Sequence, residues 1–172
     1  YRDKGADPAR RRREADELAA LCRDAGVTFI VNDDPRLAAE CGADGVHLGR
    51  DDASPRDVRR RYGRPLLLGV SCYDDPRRAR AAIEDGADYV AFGSAYPSAT
   101  KPDAVHAPLA LYRDAAARLD VPVVAIGGID AATGRPLVDA GCHALAVITA
   151  ILAAPDVRSA AADLAALFRE AR

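Results

Sequence analysis

The sequence of 172 residues has no methionine, no apolar run long enough to cross a membrane and no overall surplus of basic residues. Without a methionine, residue 1 is not a translation start, and we expect further sequence upstream of it. A membrane span needs roughly 18–20 apolar residues, and no secretory signal opens the chain. A net charge of -2 argues against a nucleic-acid partner. We therefore expect a cytoplasmic protein with neither a membrane nor a nucleic acid as its partner.

The four cysteines, Cys22, Cys41, Cys72 and Cys142, are not spaced like metal ligands. Three of them stand in otherwise apolar helix or strand patterns, which predicts structural thiols in a reducing compartment. Cys72 follows a strand pattern, but no base lies near it in the sequence to activate it.

Strand, loop and helix patterns alternate along the chain. The strand patterns cover residues 1–4, 27–31, 45–48, 65–70, 89–92, 122–126 and 144–148, and the helix patterns begin at about 8, 36, 55, 75, 108, 131 and 156. The strands are apolar on both faces, which is typical of a parallel sheet covered by helices. We predict an α/β fold, a (β/α)8 TIM barrel, with residues 1–172 as one domain. Its first βα unit, about 20–25 residues long, would lie upstream. An open doubly wound sheet is the alternative, but no glycine-rich turn follows an early strand.

Polar residues or glycines follow the predicted strands, at the end where a βα barrel builds its active site. They are Arg2, Lys4, Asn32, Asp33, Asp52, Ser71, Ser98, Thr100, Lys101, Gly127, Gly128 and Thr149. Simpler explanations exist, because Asp33 could cap a helix, Gly127 and Gly128 could form only a tight turn, and loops are polar in general.

These residue types suit two phosphorylated groups. Glycine amides after the seventh barrel strand and a hydroxyl after the eighth match the usual phosphate site of the fold. The cations Arg2, Lys4 and Lys101 exceed what one monophosphate needs. Asp33 and Asp52 offer oxygen ligands to Mg2+, which commonly bridges substrate phosphates. The sequence therefore indicates a pyrophosphate group, bound or leaving, together with Mg2+.

Seven motifs keep the order and spacing found in thiamine phosphate synthases, and the chain closely resembles that family. They are YRDK (1–4), VNDD (31–34), GADGVHLGRDD (42–52), LGVSCY (68–73), FGSAYPSATKPDA (92–104), VVAIGGI (123–129) and ALAVITAI (144–151). The family is a (β/α)8 barrel transferase. It joins 4-amino-2-methyl-5-hydroxymethylpyrimidine diphosphate to 4-methyl-5-(2-hydroxyethyl)thiazole phosphate, or its carboxylated form, and releases pyrophosphate. The resemblance implies a dissociative, Mg2+-assisted reaction in which pyrophosphate leaves first.

The resemblance also implies a role for each residue that falls within a family motif. The pyrimidine diphosphate would be bound by Tyr1, Arg2, Asp3, Lys4, Asn32, Ser71 and Lys101. The thiazole phosphate would be bound by Ser98, Ala99, Thr100, Gly128, Ile148 and Thr149. Asp33 and Asp52 would bind Mg2+, and Ser71 and Lys101 would be the catalytic residues. Arg50 stands where the family often has Gln, and Tyr73 stands where many members have His.

Two alternatives stay open. A thiazole tautomerase-like isomerase shares the fold and would use His47 or His106 for acid–base work, but it should not need the diphosphate residues. A non-catalytic phosphate-binding paralogue is the other. We expect small phosphorylated molecules as partners, while the oligomeric state, including a homo-oligomer, and the preferred thiazole form are left undecided.

Overall fold

A computed structural model describes residues 1–5, 7–97 and 104–169, in which strands and helices alternate. The strands are β1 (Ile30–Asn32), β2 (Gly45–Leu48), β3 (Leu67–Tyr73), β4 (Tyr89–Phe92), β5 (Val123–Ile126) and β6 (Ala144–Ala146). The helices are α1 (Pro8–Asp24), α2 (Pro35–Cys41), α3 (Pro55–Tyr62), α4 (Pro76–Glu84), α5 (Leu109–Arg118), α6 (Ala131–Asp139), α7 (Thr149–Leu152) and α8 (Val157–Arg169). The chain divides into two compact units, Tyr1–Ser71 with Ala81–Asp88, and Cys72–Arg80 with Tyr89–Arg172. Among the helices described, none has the length and apolar character of a membrane span.

Three parallel strands form the sheet of the first unit, in the order β1-β2-β3. Tyr1 continues this ladder beyond β1. Its amino group donates to the carbonyl of Ile30 at 2.7 Å, and its own carbonyl accepts from the N–H of Asn32 at 2.9 Å. This is the bonding of a parallel neighbour. The strand fragment predicted at residues 1–4 is thus represented by Tyr1 beside β1, although no strand is assigned there.

The apolar core of the first unit lies between this sheet and its helices. It contains Val31, Val46, Leu48 and Leu68 from the strands, and Ala15, Ala19, Leu37, Ala38 and Val58 from the helices. Successive side chains of a strand point to opposite faces. Asn32, His47 and Ser71 therefore lie on the face away from this core and are not part of it.

Prolines begin the three helices of the first unit. Asp7 caps α1 and Asp34 caps α2, and each side chain accepts hydrogen bonds from N–H groups of the first turn. Proline suits the first helical position because its missing N–H would have had no partner within the helix. Ser54 stands at the cap position of α3 as predicted, but its side chain accepts no capping hydrogen bond.

The second unit has its own parallel strands, in the order β4-β5-β6. Phe92 of β4 and Tyr112 of α5 are buried edge to face with ring centroids 6.3 Å apart, and the Tyr112 hydroxyl donates to the Phe92 carbonyl at 3.1 Å. Within each unit the strand order follows the chain order. This is the arrangement of a βα barrel, and it lacks the reversal of a doubly wound sheet.

Three predicted elements have different limits in the structure. The strand predicted at 65–70 continues to Tyr73, so Ser71 lies inside β3 and does not follow it. The strand predicted at 27–31 is shifted to Ile30–Asn32, because Val27 is 57% exposed and lies before the paired segment. The strand predicted at 144–148 ends at Ala146, and α7, which no sequence pattern predicts, begins at Thr149. The single domain over residues 1–172 stays a prediction.

All four cysteines are free thiols, as predicted. Cys41, Cys72 and Cys142 are buried, and burial raises the pKa of Cys72 and of Cys142 to about 12. Their thiols keep the proton at neutral pH, and a protonated thiol is not a nucleophile.

Candidate active site

Asp33 is the centre of a polar cluster at the carboxyl ends of β1 and β2. The Lys4 ammonium lies 3.2 Å from its carboxylate, and the side-chain amide of Asn32 donates to it. The backbone of Asp33 is left-handed, with φ of +69°, and its N–H donates to the carbonyl of His47 at 2.8 Å. Asp is among the residues that tolerate this region, and such outliers concentrate at functional positions.

Asp52 brings a second carboxyl group to this cluster. Its Oδ2 accepts from the N–H of Gly49 at 2.6 Å, and its carboxyl group interacts with that of Asp33. Burial, followed by the interaction with Asp33, raises the pKa of Asp52. Two carboxyl groups this close repel each other when both are ionised, so the pair favours a cation.

The carboxyl pair fits Mg2+ in number and in kind. This ion is usually held by one or two protein carboxylates and takes its other ligands from water and substrate phosphates. A cage of three or more His, Cys, Asp or Glu side chains does not occur in residues 1–5, 7–97 and 104–169. Binding of Mg2+ by Asp33 and Asp52 stays a prediction.

Ser71 of β3 has His47 of β2 as its side-chain partner. His47 Nε2 and Ser71 Oγ are 2.8 Å apart. Burial lowers the pKa of His47, while the nearby Asp33 acts in the opposite direction. A neutral imidazole has one donor and one acceptor, so it can direct a hydroxyl group. The sequence correctly places His47 in a strand but assigns it no part in the synthase site. The sequence signal that could have found His47 is strand alternation, which places it on the same face of the sheet as Asn32 and Ser71.

Of the residues in the YRDK motif, Lys4 contacts the Asp33 cluster, and Arg2 is exposed. The Tyr1 hydroxyl donates to a glutamate of α1 at 2.6 Å, and the Asp3 carboxylate is paired with an arginine of the same helix at 2.6 Å. Tyr1 and Asp3 therefore fix the segment that carries Arg2 and Lys4. Direct contact of Tyr1, Arg2 and Asp3 with the diphosphate stays a prediction.

In the second unit, residues 93–97 pack against the turn that follows β5. The N–H of Tyr96 donates to the Gly127 carbonyl at 3.0 Å, and the buried Ser94 hydroxyl donates to the Tyr96 carbonyl at 2.5 Å. Gly128 has a φ of +63°, and a Cβ atom there would lie 2.5 Å from the carbonyl oxygen of Pro97. Both the conformation and the close approach of the two loops require glycine at this position.

Ile148 and Thr149 follow β6 in the same unit. Ile148 occupies the cap position of α7 and Thr149 is the first residue of that helix. Ile148 is 56% exposed, which is unusual for a large apolar residue at a strand end. Their contact with a phosphate stays a prediction, as does that of Gly128.

Ser98, Ala99, Thr100 and Lys101 lie outside the described residues. Their predicted roles in binding both substrates, and the catalytic role of Lys101, therefore stay predictions. The segment that leads into them, residues 93–97, is the one packed on Gly127 and Gly128.

Tyr73, the residue that replaces a common family His, is built into the second unit. Its backbone is left-handed, with φ of +58°, and its ring lies 5.9 Å from the guanidinium carbon of Arg78. Its carbonyl accepts from the N–H of Gly93 at 2.9 Å. His106, one of the tautomerase candidates, lies with Nδ1 3.2 Å from the Ser94 carbonyl. Arg50, the other departure from the family, is exposed.

Comparisons with known proteins agree with one another. A family model described as thiamine monophosphate synthase matches residues 1–151. The thiamine-phosphate synthase of Thiobacillus denitrificans is 59% identical over 168 residues, which cover 98% of this chain and 80% of that protein. The thiamine-phosphate synthase of Chromobacterium violaceum is 54% identical, with 98% of this chain and 81% of that protein covered.

The solved structures support the same family and fold. Thiamine phosphate pyrophosphorylase from Pyrococcus furiosus superimposes with a TM-score of 0.90 at 32% identity, over 98% of this chain and 81% of that one. The 3-hexulose-6-phosphate synthase of Salmonella typhimurium has a TM-score of 0.73 at 20% identity, over 92% of this chain and 81% of that one, which supports the fold alone. The predicted α/β fold of the TIM-barrel class is confirmed, with fewer than eight βα units among the residues that the structure describes.

Proposed function

The chain belongs to the thiamine monophosphate synthase family, and we propose that it condenses the pyrimidine diphosphate with the thiazole phosphate to give thiamine phosphate and pyrophosphate. It is a transferase that acts on small phosphorylated substrates. The observation that carries the proposal is the cluster of Lys4, Asn32, Asp33 and Asp52, in which cation, amide and paired carboxyl groups meet. As part of the same proposal, the enzyme works in the cytoplasm without a membrane or nucleic-acid partner.

The first unit would bind the pyrimidine diphosphate. Lys4 and Arg2 would pair with diphosphate oxygens, and the Asn32 amide would donate a further hydrogen bond. Charge-assisted hydrogen bonds of this kind are about twice as strong as neutral ones. Tyr1 and Asp3 support this arrangement by fastening the segment of Arg2 and Lys4 to α1. The family motif also assigns Lys101 to the pyrimidine diphosphate, and this role stays a prediction.

Asp33 and Asp52 would hold Mg2+ in the first unit. When bound, the ion would neutralise the charge that builds on the departing pyrophosphate. Lys4, at 3.2 Å from Asp33, would place a second positive charge beside the same group. Fixed charges aimed at developing charge are commonly the largest contribution of an enzyme to catalysis.

The reaction would proceed by departure of pyrophosphate before the new bond forms. The C–O bond to the diphosphate breaks, and its electron pair leaves with the pyrophosphate oxygen. The thiazole nitrogen then donates its lone pair to the resulting pyrimidinylmethyl cation and forms the C–N bond. Ser71 would lie beside the pyrimidine during both steps. No protein nucleophile is required, which agrees with the protonated thiols of Cys72 and Cys142.

The second unit would bind the thiazole phosphate. Gly128 and the peptide groups of Ile148 and Thr149 would donate to its oxygens, since glycine permits a close approach of the backbone. Ser98, Ala99 and Thr100 would contact the same phosphate or the carboxylate of the carboxylated thiazole.

A coupling assay tests this function. Purified chain is supplied with both phosphorylated substrates, with and without Mg2+, and thiamine phosphate and pyrophosphate are quantified. We expect both products in equal amounts and only when Mg2+ is present. A folded chain that forms neither product would contradict the synthase, and incubation with the carboxythiazole phosphate alone would then test the tautomerase alternative.

A further inference from the structure

We propose that His47 is a positioning residue that fixes the hydroxyl group of Ser71 toward the pyrimidine substrate. This inference rests on the proposed function, because that function places Ser71 beside the pyrimidine. The geometry that leads to it is the distance of 2.8 Å between His47 Nε2 and Ser71 Oγ, on the strand face opposite to the apolar core.

The register of the sheet explains why these two side chains meet. His47 of β2 pairs directly with Gly69 of β3, and Ser71 lies two residues further along the same face. Diagonal neighbours of this kind are within reach of a long side chain. Gly69, which lies between them in the register, adds no side chain to this face.

The same residue is joined to the carboxylate cluster through its main chain. The His47 carbonyl accepts the N–H of Asp33 at 2.8 Å. The ring thus holds Ser71 while the peptide group holds Asp33. A substitution of the His47 side chain removes the contact with Ser71 and leaves the carbonyl that accepts from Asp33. The effect of the ring can therefore be measured separately.

A fixed partner matters for a serine because its hydroxyl has three rotamers and a freely rotating proton. Hydrogen bonding to His47 selects one rotamer and uses either the proton or one lone pair of the oxygen. The fixed rotamer sets the direction of the oxygen on this face of the strand, which in the proposed reaction faces the pyrimidine.

A double-mutant cycle tests the proposal. His47→Phe keeps a flat ring but removes the hydrogen bond, and His47→Gln keeps a polar nitrogen near the position of Nε2. We expect His47→Phe to lower kcat about 10- to 100-fold, as the loss of comparable supporting contacts does. The KM for the thiazole phosphate should stay within about twofold, and His47→Gln should recover part of the rate. In a Ser71→Ala background, His47→Phe should lower kcat by less than about threefold, because the two residues act as a unit.

The control is His143→Gln in the second unit, where His143 Nδ1 accepts from the N–H of Val123 at 3.1 Å. This variant should keep the wild-type rate, and thermal unfolding should show that all variants fold. The proposal would be overturned if His47→Phe lowered kcat by the same factor with and without Ser71, or if His47→Phe were fully active.

A readout without turnover separates this inference from the proposed function. The ¹⁵N chemical shift of His47 Nε2 is compared between the wild type and Ser71→Ala. We expect the shift to change because the hydrogen bond is lost. An unchanged chemical shift would overturn the His47–Ser71 hydrogen bond even if the enzyme is active. If the shift changes but the wild type forms no thiamine phosphate, the proposed synthase function is rejected and the hydrogen bond is retained.

Discussion

The backbone of Asp33 holds the carboxylate of the same residue in the polar cluster. Its left-handed conformation and its hydrogen bond to the His47 carbonyl hold the side chain beside Lys4 and Asp52. Asn also tolerates this conformation, so the charge can be removed without changing the backbone.

Asp33→Asn should therefore fold normally and lose metal affinity. We expect the Mg2+ concentration for half-maximal rate to rise about tenfold or more, corresponding to the loss of one charged interaction of roughly 1.5–3 kcal/mol. Initial rates over a Mg2+ titration measure this, and circular dichroism checks the fold.

Asp57→Asn is the charge-matched control, because Asp57 pairs with Arg60 on the exposed face of α3. It should leave the Mg2+ titration unchanged. A fully active Asp33→Asn with the wild-type Mg2+ dependence would remove Asp33 from the metal site.

The sequence predicts that Asp33 and Asp52 bind the same Mg2+ ion, because both follow a strand within a family motif. It does not predict the contact of His47 with Ser71, since that contact depends on the strand register. A one-residue shift of β2 against β3 would move the His47 ring to the other face of the sheet. The left-handed backbone of Asp33 is likewise a consequence of its surroundings and has no signal in the sequence.

The Arg59 side chain attaches helix α3 to other segments of the first unit. The Arg59 guanidinium is 13% exposed and lies 2.5 Å from the Asp88 carboxylate. It also donates to the carbonyls of Gly63, Leu66 and Gly86 at 2.5–3.1 Å. This set joins the middle of α3 to the segment that follows the helix and to the turn before β4.

Arg59→Ala should lower the free energy of unfolding by about 3 kcal/mol, because it removes one charged donor from the half-buried Asp88 carboxylate and from three carbonyls. Urea denaturation followed by circular dichroism measures the change. Arg60→Ala, on the exposed side of the same helix, should change the free energy by less than about 0.5 kcal/mol. Similar values for the two variants would show that Arg59 does not fasten the helix.

Helices that begin with a capping residue and a proline are predicted well, as α1 and α3 show. The sequence does not predict α7, because four residues are too few to show a helical period. The sequence also does not predict the continuation of β3 through Ser71, because a polar residue after an apolar run is typical of a strand end.

At the scale of the whole molecule, the family, the transferase activity and the fold class predicted from the motifs are confirmed. Motif order predicts these features because it follows the order of strand ends in a βα barrel. The roles of Ser98, Ala99, Thr100 and Lys101 depend on contacts outside the described residues and stay predictions.

Assignment of the two substrates to separate units makes a direct kinetic prediction for Gly128→Ala. Its Cβ would lie 2.5 Å from the Pro97 carbonyl oxygen and 2.8 Å from that of Tyr96, so the turn and the loop must move apart. Gly26→Ala is the matched control. Gly26 has a similar φ of +65°, and a Cβ there meets nothing within 4 Å.

The decisive measurement is the KM of each substrate for the wild type, Gly128→Ala and Gly26→Ala. We expect Gly128→Ala to raise the KM for the thiazole phosphate about tenfold, the equivalent of one charge-assisted hydrogen bond, and to leave the KM for the pyrimidine diphosphate within about twofold. Gly26→Ala should change neither. A rise confined to the pyrimidine diphosphate, or no change in either KM, would contradict the assignment of the thiazole phosphate to the second unit.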